Sequence, residues 1–259
     1  MDIMPTLFIG HGSPMNTLEH NAFTESWRIM GEALPRPRAI LVVSAHWFIG
    51  STVVTAMPNP RTIHDFYGFP QALFDVQYPA PGSPELAQEI AEVVKPNWVG
   101  ADIDQWGFDH GTWSVLKHMY PDADIPVVQL SINSQKPMDY HIKLGARLAE
   151  LQKSGVLILA SGNVVHNLRA IDWHNPESGF DWAYRFDEAA EELLTSNPGD
   201  VLRLMDHPDY AKAVPTPDHF IPLLYTATIA AQNSKLSSFA KGVVVGSISM
   251  TSYSSGLAA

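Results

Sequence analysis

Three short apolar runs constrain this chain more than any other feature, because each leads into a histidine. Thr6-Leu-Phe-Ile-Gly-His11-Gly-Ser-Pro14 stops abruptly at Gly10, His11 and Gly12. Ala39-Ile-Leu-Val-Val-Ser-Ala-His46 ends in a second histidine. Val156-Leu-Ile-Leu-Ala-Ser-Gly-Asn-Val-Val-His166 carries a third, with Ser161-Gly162-Asn163 marking where the strand breaks. Runs rich in Val, Ile and Leu without alternation are strands buried on both faces, and such strands belong to parallel sheets covered by helices. In open α/β sheets the ligand site lies just beyond the carboxyl ends of the strands. Three strands delivering histidines there gather imidazoles around one crevice, which points to a metal site or a proton-transfer site.

The rest of the chain supports a three-layer α/β/α fold with a mostly parallel or mixed central sheet. Strands and helices alternate throughout. Helical patterns cover residues 16–34, with Asn16 or Thr17 as cap, and a helix starting at Pro84 behind Ser83. Further helices are expected over 112–120, 137–152, 180–195 and from His219 to about Ala231. Strand patterns cover 50–56, 98–103, 125–132 and, as the last strand, 243–250. Between them, 57–82 is rich in Pro, Gly and aromatics, and we expect it to form a pocket wall or lid. With 259 residues, no internal repeat and no linker, residues 1–259 read as a single catalytic domain.

Composition removes several function classes. The net charge of -11 disfavours nucleic acid and anionic membranes as main partners. The absence of cysteine excludes disulfides and thiolate metal sites, so any metal is held by His, Asp or Glu. No apolar stretch approaches the ~20 residues of a membrane span, and no basic region precedes the first apolar run. The expectation is a cytoplasmic protein, monomeric or a small homo-oligomer.

The chain has 11 histidines. His20, His118 and His141 fall on helical patterns and are expected at the surface, and His174 and His207 fall in polar loops. His11, His46 and His166 share the strand-end position. His219 sits in a Pro-bounded helix entry, where spacing alone does not separate a ligand from a turn residue. His64 and His110 lie in loops that border the same edge, beside Asp65 and Asp109, which either orient them or cap turns. The P-loop pattern and the G-x-S-x-G elbow are both missing, so Ser13 and Ser161 are not singled out as nucleophiles. Imidazoles without thiolates suit Fe(II), Zn(II), Ni(II) or Cu(II), and three protein ligands leave positions open for catalysis. These residues alone do not separate redox chemistry from hydrolysis.

Six ordered motifs do. Gly10-His-Gly-Ser-Pro, Ser44-Ala-His-Trp47, Ile63-His-Asp-Phe66, Gly107-Phe-Asp-His-Gly111, Ser161-Gly-Asn-Val-Val-His-Asn-Leu-Arg169 and Thr216-Pro-Asp-His-Phe220 span nearly the whole chain. Together they resemble the class III extradiol ring-cleaving dioxygenases, and within them the 4,5-DOPA extradiol group. The resemblance implies a non-haem Fe(II) enzyme that opens a catechol such as L-DOPA with O₂ to a ring-opened semialdehyde. It implies His11, His46 and His219 as metal ligands and His166 as the second-sphere histidine that handles protons. It further implies that Zn(II) can occupy the site with His166 as fourth ligand, that His110 lies close to bound substrate, and that His64 is a further pocket residue. The broader class uses two histidines and a carboxylate; here the matching motif offers His219 with Asp218 beside it. Two other readings stay open: a Zn(II) hydrolase using the same histidines, which lacks H-E-x-x-H, and a binding protein without turnover.

Overall fold

In the computed structural model, which describes residues 3–233 and 235–256, one sheet runs through the fold. Its strands are β1 (Thr6–Gly10), β2 (Ala39–Ile49), β3 (Val53–Thr55), β5 (Gly100–Asp102), β7 (Val127–Asn133), β8 (Val156–Gly162), β9 (Leu236–Phe239) and β12 (Ser252–Ser255). Two short ladders pair β4 (Arg61–Thr62) with β6 (Gly107–Phe108), and β10 (Val243–Val244) with β11 (Ile248–Ser249). The eight-stranded order is β5-β3-β7-β2-β8-β1-β12-β9. The central four strands, β7, β2, β8 and β1, are parallel. Antiparallel pairings β3–β7, β1–β12 and β12–β9 make the sheet mixed.

Helices are α1 (Ala22–Ala33), α2 (Gln71–Phe74), α3 (Pro84–Val93), α4 (His110–Met119), α5 (Met138–Leu148), α6 (Asp181–Ser196), α7 (Tyr210–Ala213) and α8 (Ile221–Asn233). One face of the sheet, with Leu7, Ile9, Ile40, Val42, Leu157 and Leu159, packs on Trp27 of α1 and Trp113 of α4. The other face sends Leu41, Val43 and Ile158 against α3, α5 and α8 through Leu86, Leu144 and Tyr225. Phe8, Ala160 and Tyr253 meet Phe186 and Leu194 of α6 and Leu223 of α8. Because alternate residues of each central strand face different helix layers, both sets are apolar and the strands read as unbroken hydrophobic runs. Among the described residues no helix is long and apolar enough to cross a membrane.

Register explains the crevice. Ser161 of β8 lies between Ile9 of β1 and Ser44 of β2, so β1 and β8 end level with each other beside Ser44. Strand β2 does not stop at His46 as its sequence suggests. It continues to Ile49, and its pairing with β7 shifts between Val43 and Phe48. An irregularity of this kind re-aims side chains next to a site, and His46 sits inside it.

Several boundaries differ from expectation, the 137–152 helix among them, which is α5 followed by a 3-10 turn, Ala149–Ser154. Residues 16–34 are not one helix: a 3-10 turn, Pro14–Thr17, precedes α1, which is capped by Asn21. The Asn21 side chain accepts the Phe23 and Thr24 N–H groups while the Thr24 hydroxyl accepts the Asn21 N–H, a reciprocal box that fixes the start there. Residues 243–250 are not the last strand but the hairpin β10–β11, turned by Val245 and Gly246 at positive φ (44° and 82°). The last sheet strand is β12, Ser-Tyr-Ser-Ser, which has no apolar run to announce it. Its hydroxyls accept backbone N–H groups instead: Ser255 from Thr6 at 3.1 Å and Ser252 from Gly10 at 3.0 Å.

Candidate metal centre

At the end of β1 the His11 N–H donates to the Gly162 carbonyl (3.1 Å) and its carbonyl accepts from Asn16 Nδ2 (3.0 Å). Its ring Nδ1 lies 2.9 Å from Ser161 Oγ. Because the Ser161 hydroxyl donates to the Gly111 carbonyl at 2.6 Å, it accepts from His11. His11 therefore carries its proton on Nδ1 and leaves Nε2 bare.

The His46 ring approaches from β2. Its Nδ1 lies 3.2 Å from Asp65 Oδ2, and its Nε2 lies 3.0 Å from His11 Nε2. The Asp65 contact is an ion-pair distance and not a hydrogen bond, so only the His11 Nε2 is fixed as bare. The two Nε2 atoms face each other, and about 3 Å is the spacing of two nitrogens roughly 2.1 Å from one ion at about a right angle. The donor set fits a metal ion.

His219 and His166 close the other side. His219 precedes α8, and its Nδ1 is bonded to Asp218 Oδ2. Its ring centroid stands 5.3 Å from that of His11 and 5.0 Å from that of His46. His166 lies past the end of β8, bridged to Ile248, and stacks on His219 with centroids 3.4 Å apart and planes within 6°. Two groups have donor atoms close enough for one ion: His11, His46 and His110, and His166, Asp218 and His219.

His110 is the first residue of α4, whose cap is Asp109. Its Nδ1 lies 2.9 Å from Asp65 Oδ2 and its N–H donates to Asp65 Oδ1, also at 2.9 Å. The two aspartates flanking these histidines therefore split the roles their sequence leaves open: Asp65 orients the His110 ring and Asp109 caps a helix. His64 stands apart. Its Nε2 bonds the Val76 carbonyl at 3.0 Å, and its ring packs on Phe66, Phe74 and Trp113. Phe66 reaches the His110 ring at 5.5 Å. Residues 57–82 thus form an aromatic wall, with Phe66 against His110 and His64 behind it.

Two glycines make the approach possible. A Cβ on Gly111 would stand 2.5 Å from Ser44 Oγ and 2.9 Å from His46 Cδ2, and one on Gly162 would collide with the His219 carbonyl.

Electrostatics keeps the imidazoles neutral. Burial, then the neighbouring histidines, hold His11 and His46 well below the usual imidazole range. Burial, then His219, push His166 down to about 2. Burial, the largest single effect, raises Asp65, but the hydrogen bonds and charge of His110 together outweigh it and the carboxyl is lowered. For Asp218 burial is likewise the largest effect, and the hydrogen bonds from His219 and Thr216 with the His219 charge together lower the carboxyl. Asp109 goes the other way, up to about 6, through burial and the charge of Asp65. Its oxygens accept from Ser44 at 2.7 Å and from the Gln129 amide. Neutral imidazoles with bare nitrogens are metal ligands; protonated ones are not.

Sequence reasoning missed Gln129, which sits in the middle of β7 with no motif around it. It also missed that Ser161 sets the His11 tautomer, a role visible only once β1 and β8 are paired. His141 is corrected: it is buried, with Nδ1 2.9 Å from Tyr225 Oη, because α5 packs that side against α8.

Comparison with known proteins accords with this geometry. The chain is 51% identical over 253 residues to a 4,5-DOPA dioxygenase extradiol of Escherichia coli K12, covering 96% of this chain and 93% of that one. It is 38% identical to the protein of the same name from Beta vulgaris, covering 90% of each. A crystal structure of an uncharacterized Escherichia coli K12 protein matches with a TM-score of 0.85 and 46% identity, covering 98% of this chain and 100% of that one. The model of the catalytic LigB subunit of aromatic ring-opening dioxygenases matches residues 5–253, and the chain belongs to that family.

Proposed function

We propose that the protein is an Fe(II)-dependent extradiol dioxygenase that opens the ring of a catechol such as L-DOPA to a semialdehyde, incorporating both atoms of O₂. The observation that carries this reading is the facing pair of Nε2 atoms of His11 and His46, 3.0 Å apart, within a family of ring-opening dioxygenases. His11, His46 and His219 are the ligands. His11 and His219 have their Nδ1 bonded to oxygens of Ser161 and Asp218, His46 Nδ1 lies 3.2 Å from Asp65, and each gives Nε2 to the ion. The Asp218 carboxylate is engaged by His219, which favours the imidazole over the carboxylate as third ligand. Orientation of a ligating imidazole by an oxygen on its other nitrogen is the usual second shell of such sites.

Fe(II) bound there supplies the electron exchange between catechol and O₂ that ring cleavage needs. The chain's own residues do the rest. His110 and the Phe66 wall hold the aromatic ring, His64 supports that wall, and His110 bonds a catechol hydroxyl. His166, kept neutral by burial, takes up a proton and returns it during cleavage. A ligand set of three neutral histidines carries less negative charge than two histidines and a carboxylate, so Zn(II) competes for the same position.

Oxygen uptake with L-DOPA after anaerobic loading tests the reading. Uptake with a new visible band in the Fe(II) sample, and none in the Zn(II) sample, is expected. No uptake across a panel of catechols at confirmed iron occupancy would overturn it.

A further inference from the structure

We propose that Asp65 is a positioning residue that sets the tautomer of His110, from a side chain carried on the aromatic wall and close to His46. Its Oδ2 lies 3.2 Å from His46 Nδ1 and 2.9 Å from His110 Nδ1, and its Oδ1 accepts the His110 backbone N–H at 2.9 Å. The two rings it joins stand 3.8 Å apart between centroids. An ionised carboxylate has no hydrogen to give, so the His110 Nδ1 brings its own and its Nε2 is bare. Among the described residues no other side chain bonds the His110 Nδ1.

The site of Asp65 adds a consequence. It belongs to the 57–82 segment, not to a strand end, and Phe66 beside it packs on His110. Placement of the aromatic wall and orientation of the centre are therefore one event. His110 also sits at the N-terminus of α4, where the helix dipole favours an anion, so the Asp65 carboxylate is stable there in its ionised form. With Nε2 bare, His110 is a hydrogen-bond acceptor toward the site. It favours a substrate with a free hydroxyl over one whose hydroxyl is methylated. This last step rests on the catechol reading above; the tautomer assignment does not.

The test uses the Zn(II)-loaded full chain, which is diamagnetic. Long-range ¹H–¹⁵N correlation of the imidazoles should show the Nδ1–H form for His110. In Asp65→Asn the side-chain amide can donate where the carboxylate only accepted. His110 should then lose its single Nδ1–H form, and Zn(II) affinity, read by chelator competition, should fall roughly 10- to 100-fold. A merely structural role would lower the melting temperature and leave the His110 tautomer unchanged. Nε2–H on His110 in the unsubstituted protein overturns the proposal, and that spectrum decides even where the variant fails to fold. So does an Asp65→Asn variant with unchanged tautomers and affinity. Absence of oxygen uptake with the Nδ1–H forms intact would instead count against the dioxygenase reading alone.

Discussion

At the scale of single residues, the centre depends on which nitrogen of each imidazole carries the proton. Ser161 and Asp218 decide that for His11 and His219, and Asp65 for His110. His166 differs, since it stacks on His219 and has no such anchor among the described contacts. His166→Ala should therefore keep metal content while kcat falls by about 10²–10⁴, the usual worth of a positioned acid or base. Metal analysis beside steady-state rates checks this, and loss of the metal in that variant would make His166 a ligand. Gly162 bears on the same geometry through its backbone. Gly162→Ala pushes a methyl group into the His219 carbonyl, so unfolding in urea should show a loss of about 1–3 kcal/mol, the range for overpacking. These residues were legible to different degrees. Strand-end histidines announce themselves by position. His219 needed the family resemblance, because its motif is a turn like many others. Asp65 was visible as a neighbour of His64, but its two partners are 19 and 45 residues away in the chain, a relation only the fold creates.

At the scale of elements, the buried strands were readable because both their faces are covered, and continuous apolar runs leave little alternative. Strand β12 was not, since Tyr253 is its one core side chain and the other three residues are serines, two of whose hydroxyls accept neighbouring N–H groups. The start of α1 was misplaced for a related reason: Asn16 and Asn21 are both good caps, and only the partner Thr24 selects the second. Asn21→Ala removes that box and should cost about 1 kcal/mol. The urea midpoint should fall, and an unchanged midpoint would contradict the cap.

For the whole molecule, the fold buries several imidazoles in the neutral form. His141 shows the sign free of any metal. Burial brings it down to about 4, against an ordinary value near 6.5. Its contribution is complete above about pH 6.5 and is lost as pH falls from there to about 4. His11, His46 and His166 shift in the same direction. Asp109 and Asp187, raised to about 6 by burial, oppose them, since protonation favours the folded state as pH falls through about 6. The four imidazoles outweigh the two carboxyls. Metal-free protein should thus be less stable at pH 5 than at pH 7 in urea unfolding, and His141→Gln should flatten that slope. Greater stability at pH 5 would contradict the balance.

The central claim is that His11, His46 and His219 together hold one metal ion, and Zn(II) stoichiometry by equilibrium dialysis tests it most directly. One ion per chain is expected, lost in His11→Ala, His46→Ala and His219→Ala and retained in His110→Ala. An ion retained in His219→Ala but lost in His110→Ala would contradict the account and move the third ligand to α4.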